Sequence, residues 1–233
     1  MTDTPKVDGS WQRPKLIVFD VNETLSDMSG MPAHFEAVGA PAGLAATWFA
    51  SLLRDGFALT VTHDNPDFAD LAATSLASML TAHGVDGVDA AVERIMGAFT
   101  SLPVHDDVVP GVQALAAHGI RLVTLSNGST QVAQGLFDRN GITAYFERLL
   151  SVQDAPAWKP ARAAYEYALR VCGVRAGEAM LVAVHPWDVH GAHQAGLQTA
   201  YVNRSGGPYP TYFAAPDVQV RSLVHLTQRI NTP

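Results

Sequence analysis

Four stretches of this chain place chemically useful side chains directly behind short apolar runs. KLIVFD ends in Asp20, with Asn22 and Thr24 two and four residues on. IRLVTL is followed by Ser126, Asn127 and Gly128, ERLLSV by a loop carrying Lys159, and AMLVAV by His185 and Asp188. Together they supply two acids, amides, a hydroxyl and an ammonium, which are the parts of a nucleophilic site. A carboxylate becomes an adequate nucleophile once it is desolvated and aimed. Burying it without a partner is costly, and a nearby lysine offsets that cost. Each part also has a plain structural use. Asp20 or Asp188 can cap a helix, Ser126-Asn127-Gly128 can make a turn, and Lys159 can sit solvated in a loop. What argues for a site is their common position after four apolar runs.

For these residues to meet, the runs must be neighbouring strands. From Pro110 onward, strand-like runs alternate with helical stretches: GVQALAAHG, STQVAQGLFDRNG, PARAAYEYALRVCG and WDVHGAHQAG are helical, and QTAYVN is a further strand. This alternation implies parallel βαβ units and an α/β fold built on a doubly wound parallel sheet. Ligands of such sheets bind at the carboxyl ends of the strands, where these polar side chains fall. From about Leu44 to Phe99 the texture differs: three Ala/Leu-rich helical stretches follow one another with no strand between them. The economical reading is a helical cap over 29–104 inserted into a discontinuous Rossmann-like core made of 15–28 and 105–230. Residues 1–14 read as a polar tail, 204–217 as a Pro/Gly-rich loop, and 222–230 as a final helix.

Composition narrows the function. The chain has 233 residues, with 15 Lys+Arg against 22 Asp+Glu and a net charge of −7. The absence of a basic run argues against a nucleic-acid partner. No 18-residue apolar segment predicts a membrane span, and MTDTPKVDGSWQRPK holds no apolar stretch of the signal-peptide kind. The single cysteine, Cys172, reads as a small core residue suited to a reducing cytoplasm. His190 and His193 share a helical face near His185 and Asp188, but with one carboxylate among them surface histidines are the simpler explanation. No metal or cofactor is expected. The expected partner is a small-molecule substrate, and a homodimer is left open.

FDVNETLSD, LSNGS, the Lys-Pro with Tyr165 in WKPARAAYEYAL, and HPWDVHGA followed by YVNR resemble the haloacid dehalogenase superfamily. Within it the chain most resembles the type II (L-2-haloacid) dehalogenases, from about Lys15 to Ile230. The resemblance implies that the substrate is a short-chain 2-haloacid and that Asp20 is the nucleophile, displacing halide from the substrate carbon and forming an aspartyl ester. It implies that Thr24 orients Asp20, that Ser126 and Lys159 hold the substrate carboxylate, and that Asn127 binds the departing halide. Asn22 and Tyr165 would support the substrate side, and Asp188 would activate the water that opens the ester to a 2-hydroxy acid. Phosphatases of the superfamily carry a second Asp two residues after the nucleophile and a further acid before the last Asp. Here those positions are Asn22, Ala183 and Val184, so a Mg²⁺ phosphatase is disfavoured.

Two departures bear on the reading. The arginine that similar dehalogenases carry on the cap helix aligns with Phe49, leaving Arg54 as the nearby candidate. The usual asparagine of the fourth motif is His185, which either positions the hydrolytic water or is a structural replacement. A binding or regulatory protein with a weakened site is the remaining alternative.

Overall fold

The computed structural model describes residues 12–231, so the expected N-terminal tail lies outside the described residues as far as residue 11. Leu-Ile-Val-Phe forms strand β1 (Leu16–Phe19), all four side chains buried. Each such apolar side chain contributes about 1.5–3 kcal/mol on burial. A run buried on both faces is what a central parallel strand requires. Its neighbours are β2 (Arg121–Ser126) and β4 (Ala179–Ala183), with β3 (Arg148–Ser151) outside β2, and β5 (Gln198–Val202) and β6 (Val218–Val220) beyond β4. All pairs are parallel, in the order β3-β2-β1-β4-β5-β6. The order reverses between β1 and β4, which opens a crevice at their carboxyl ends.

Alternation along the strands sorts the core into two layers. Ile17, Phe19, Leu122 and Val182 face α5 (Val108–Ala117), α6 (Thr130–Arg139) and α9 (Leu223–Asn231). Leu16, Val18, Leu125 and Leu181 face the side of α7 (Arg162–Cys172) and α8 (Pro186–Gln194). That second apolar cluster continues into four helices between β1 and β2: α1 (Met31–Glu36), α2 (Leu44–Val61), α3 (Phe68–Ala82) and α4 (Val88–Thr100). The chain leaves for these helices and returns at one place. Ser26 bridges Val104, the Asp27 N–H donates to the Pro103 carbonyl at 2.8 Å, and the His105 N–H to the Leu25 carbonyl at 3.1 Å.

The structure amends the sequence reading at three elements. The helix expected after Pro110 starts at Val108, because a proline in the first turn loses no N–H that the helix needs. The six-residue α1 and the three-residue β6 were not anticipated, both being too short to set up a period.

Candidate active site

Asp20 follows β1 and is 4% exposed. Its Oδ1 accepts a hydrogen bond from Lys159 Nζ at 2.8 Å and its Oδ2 one from Thr24 Oγ1 at 2.6 Å. The Thr24 hydroxyl has its own direction fixed. It accepts the Val184 N–H at 3.1 Å, so its hydrogen is left for Asp20. Burial works against ionising Asp20, but the Lys159 ammonium, the neighbouring His185 ring and the hydrogen bonds from Lys159 and Thr24 outweigh it. Its carboxyl is held below the usual value.

Lys159 is fully buried, and its ammonium bridges Asp20 to Asp188 Oδ2, the latter at 2.6 Å. Burial alone would lower its pKa; the carboxylates of Asp188 and Asp20 raise it instead, so the lysine stays charged. The backbone around it is fixed by Asn127. The Asn127 side-chain carbonyl accepts the Lys159 N–H at 3.0 Å, and its amide donates to the Lys159 carbonyl at 3.2 Å. Trp158, next in line, donates from Nε1 to the Pro66 carbonyl at 3.1 Å and stacks on Phe68. A Cβ at Gly56 of α2 would run into the Trp158 ring, so that glycine lets the helix approach the lysine segment.

Asp188 lies in the first turn of α8, placed there by Pro186 at the helix start. Its Oδ1 accepts the Tyr165 hydroxyl at 2.6 Å. Burial raises its carboxyl pKa despite the lysine, and burial together with Asp188 pushes the Tyr165 phenol well up. Both Asp188 oxygens are therefore engaged and the residue has no exposed surface. Ser126, at the end of β2, accepts the Gly128 N–H at 2.9 Å and keeps its own hydroxyl hydrogen to donate. With Asn22 it borders a narrow recess next to Phe68.

His185 stands at the head of α8, stacked on Trp187 at 5.0 Å between ring centroids and 6.4 Å from the Phe49 ring. Its Nε2 lies 3.1 Å from the Asn22 carbonyl, 3.6 Å from Asp20 Oδ2 and 3.6 Å from Glu23 Oε2. Glu23 was not singled out from the sequence. It sits in the turn after β1 at φ +60°, and burial raises its pKa against the pull of His185. One glutamate in a polar turn carries no signal of its own; only the fold brings it against His185. Arg54 does not take the place of a cap arginine. Its side chain is 71% exposed and pairs with Asp55 on the surface.

A cavity of about 580 Å³ lies between α1–α2 and the ends of β4 and β5. Glu23, Val184 and His185 are part of its lining, and His185 Nε2, 3.6 Å from Asp20 Oδ2, links it to the nucleophile, which does not itself line it. The donor set does not suit a divalent cation. The space between Asp20 and Asp188 belongs to the Lys159 ammonium, and Asn22 brings no carboxylate. Among the described residues no group of three His, Cys, Asp or Glu side chains converges. Among them, too, no helix is long and apolar enough to cross a membrane.

Comparison with known proteins places this geometry in context. A family model for haloacid dehalogenase-like hydrolases matches residues 14–196. (S)-2-haloacid dehalogenase 4A of Burkholderia cepacia is 29% identical over 211 residues, covering 90% of this chain and 91% of that protein. Haloacetate dehalogenase H-2 of Moraxella sp. (strain B) is 28% identical over 215 residues, covering 90% and 96%. Among solved structures, a dehalogenase with an intermediate complex superposes with a TM-score of 0.89 at 26% identity, covering 95% of this chain and 99% of that one.

Proposed function

Because this chain belongs to the haloacid dehalogenase-like hydrolases, we propose that it hydrolyses (S)-2-haloacids to 2-hydroxy acids through an ester on Asp20. One observation carries the reading: a buried carboxylate kept ionised by Lys159 and aimed by Thr24, with an amide, not a second acid, two residues on. Expelling halide needs no protonation, so the missing acid is no handicap. An Asp20 oxygen attacks the carbon bearing halogen from the far side. The C–O bond forms as the carbon–halogen bond breaks, and halide leaves with the electron pair. Holding nucleophile and carbon in line is the main source of acceleration. Lys159 and the Ser126 hydroxyl attract the substrate carboxylate. Asn127, committed to the Lys159 backbone, keeps one amide hydrogen for the halide side.

The second step opens the ester by water attack at the Asp20 carboxyl carbon. Asp188 is sealed off by Lys159 and Tyr165, so we assign the proton transfer to His185, which faces both the cavity and Asp20. The neutral imidazole, its Nε2–H held by the Asn22 carbonyl, takes the water proton at Nδ1 and returns one to the departing alkoxide, while Glu23 steadies the imidazolium between. Asp188 then serves to hold Lys159. We read 29–104 as a cap over a core of 15–28 and 105–230, since the chain leaves and returns side by side at Ser26 and Val104. A cytoplasmic location fits the free, buried Cys172.

The test is covalent trapping. With 2-chloropropionate, His185→Ala gives a burst of chloride, then a steady rate at least a hundredfold lower, and a mass increase on the Asp20 peptide. Asp20→Asn gives neither chloride nor adduct. Chloride release by Asp20→Asn at a tenth of the wild-type rate, with no adduct in any variant, overturns the proposal.

A further inference from the structure

The cavity beside Asp20 is larger than a short haloacid needs. At roughly 30 Å³ per heavy atom, water's share of the liquid, its 580 Å³ exceeds the space of the six or so heavy atoms of 2-chloropropionate, whose carboxylate is in any case held outside it at Lys159 and Ser126. The surplus is lined by apolar side chains, with Met31, Phe49, Leu53 and Trp187 among them. On the α2 side it is kept open by Ala46 and Ala50, one helical turn apart and both exposed. A volume of this order, apolar with a few polar groups, suits a ligand well above acetate size. The carboxylates on its wall disfavour a second carboxylate on that ligand, with one Arg204 donor, Nε, left without a hydrogen-bond partner among the described residues. Glu23 and Asp27 both border the cavity, and the Arg204 guanidinium there is already bound to Asp107 at 2.7 Å and to the Thr24 carbonyl at 2.8 Å.

We infer that the substrates are 2-haloacids carrying a long uncharged side chain, an alkyl group of four or more carbons, whose tail lies in this cavity against α2. This rests on the dehalogenase reading above. The chemistry at Asp20 is unchanged; the cavity sets which acid is held for it.

The experiment measures kcat/KM by halide release from 2-chloropropionate, 2-chlorobutanoate and 2-chlorohexanoate with the full-length protein. In parallel, calorimetry measures binding of the matching 2-hydroxy acids. Burial of each methylene is worth about a fourfold gain, so kcat/KM and product affinity are expected to rise along the series. Ala50→Phe and Ala46→Leu fill the cavity from exposed helix positions. Each is expected to lower the hexanoate-to-propionate ratio by tenfold or more, with an unchanged circular dichroism spectrum. Chloride from 2-chloropropionate with a flat or falling series, or a ratio unmoved by both variants, overturns the long-chain assignment and leaves the dehalogenase reading standing. No halide from any of the three acids overturns both.

Discussion

Replacing Lys159 by methionine tests the electrostatics of the site directly. The lysine is fully buried, and its ammonium bonds Asp20 at 2.8 Å and Asp188 at 2.6 Å. Methionine fills much the same volume but leaves two buried carboxylates with no counter-charge. Removing one partner of a buried ion pair costs about 3–5 kcal/mol, which in a chain of this size lowers Tm by roughly 6–20 °C. The pH dependence distinguishes this cause from poor packing. In the wild type Asp20 has a lowered pKa. It therefore contributes stability above the unfolded-state value, lost as pH falls through the folded one. In Lys159→Met, burial raises both acids. They then penalise folding while ionised, and the penalty shrinks as pH falls and one takes up a proton. Thermal melts of both proteins between pH 5 and 8.5 should show a large gap at the alkaline end and a small one at pH 5. Residual halide release should shift to higher pH, since Asp20 reacts only when ionised. A gap below about 1 kcal/mol at pH 8, or one that does not change with pH, would refute the assignment of Lys159 as the charge that keeps Asp20 ionised.

Glu23→Gln, which keeps the shape but not the charge, should slow ester hydrolysis more than alkylation, giving a chloride burst and a kcat about tenfold down. Because burial raises the Glu23 pKa, the wild-type kcat should fall as pH drops through that raised value, and the variant should lose this limb. Identical burst and pH profiles would remove Glu23 from the mechanism. Gly191→Ala should cost about 1–3 kcal/mol and most of the activity, since its Cβ would lie 2.6 Å from both Pro160 Cβ and the Tyr165 hydroxyl. Gly97→Ala on α4 meets nothing within 4 Å and should be neutral or stabilising, with urea titration of both glycine variants as the measurement.

The sheet and its ligand edge were legible because LIVF, RLVTLS and AMLVA are apolar runs long enough to mark strands, each ending in a polar side chain or followed by one within two residues. The pairings at the edge were not, because they join residues far apart in sequence. Nothing near Asn127 announces that its amide spans the Lys159 backbone, 32 residues on. Glu23 reads as a turn residue until its positive φ and the approach of His185 are known. The size of the cavity is likewise invisible, since alanines at 46 and 50 read equally well as helix formers on a solvated face.

Strand order has a consequence for synthesis. β1 carries the nucleophile and lies at the centre of the sheet, but its partners, β2 and β4, begin at Arg121 and Ala179. At 5–20 residues per second, on the order of ten seconds or more separate the emergence of Asp20 from that of Asp188. Until β2 emerges the LIVF segment has no sheet neighbour, and until β4 emerges it has one on a single side only. A nascent chain stalled between 120 and 178 should therefore be the species most exposed to strand-mediated aggregation and most dependent on chaperones. Slow codons just before Ala179 should lower soluble yield more than equal numbers placed after Val220.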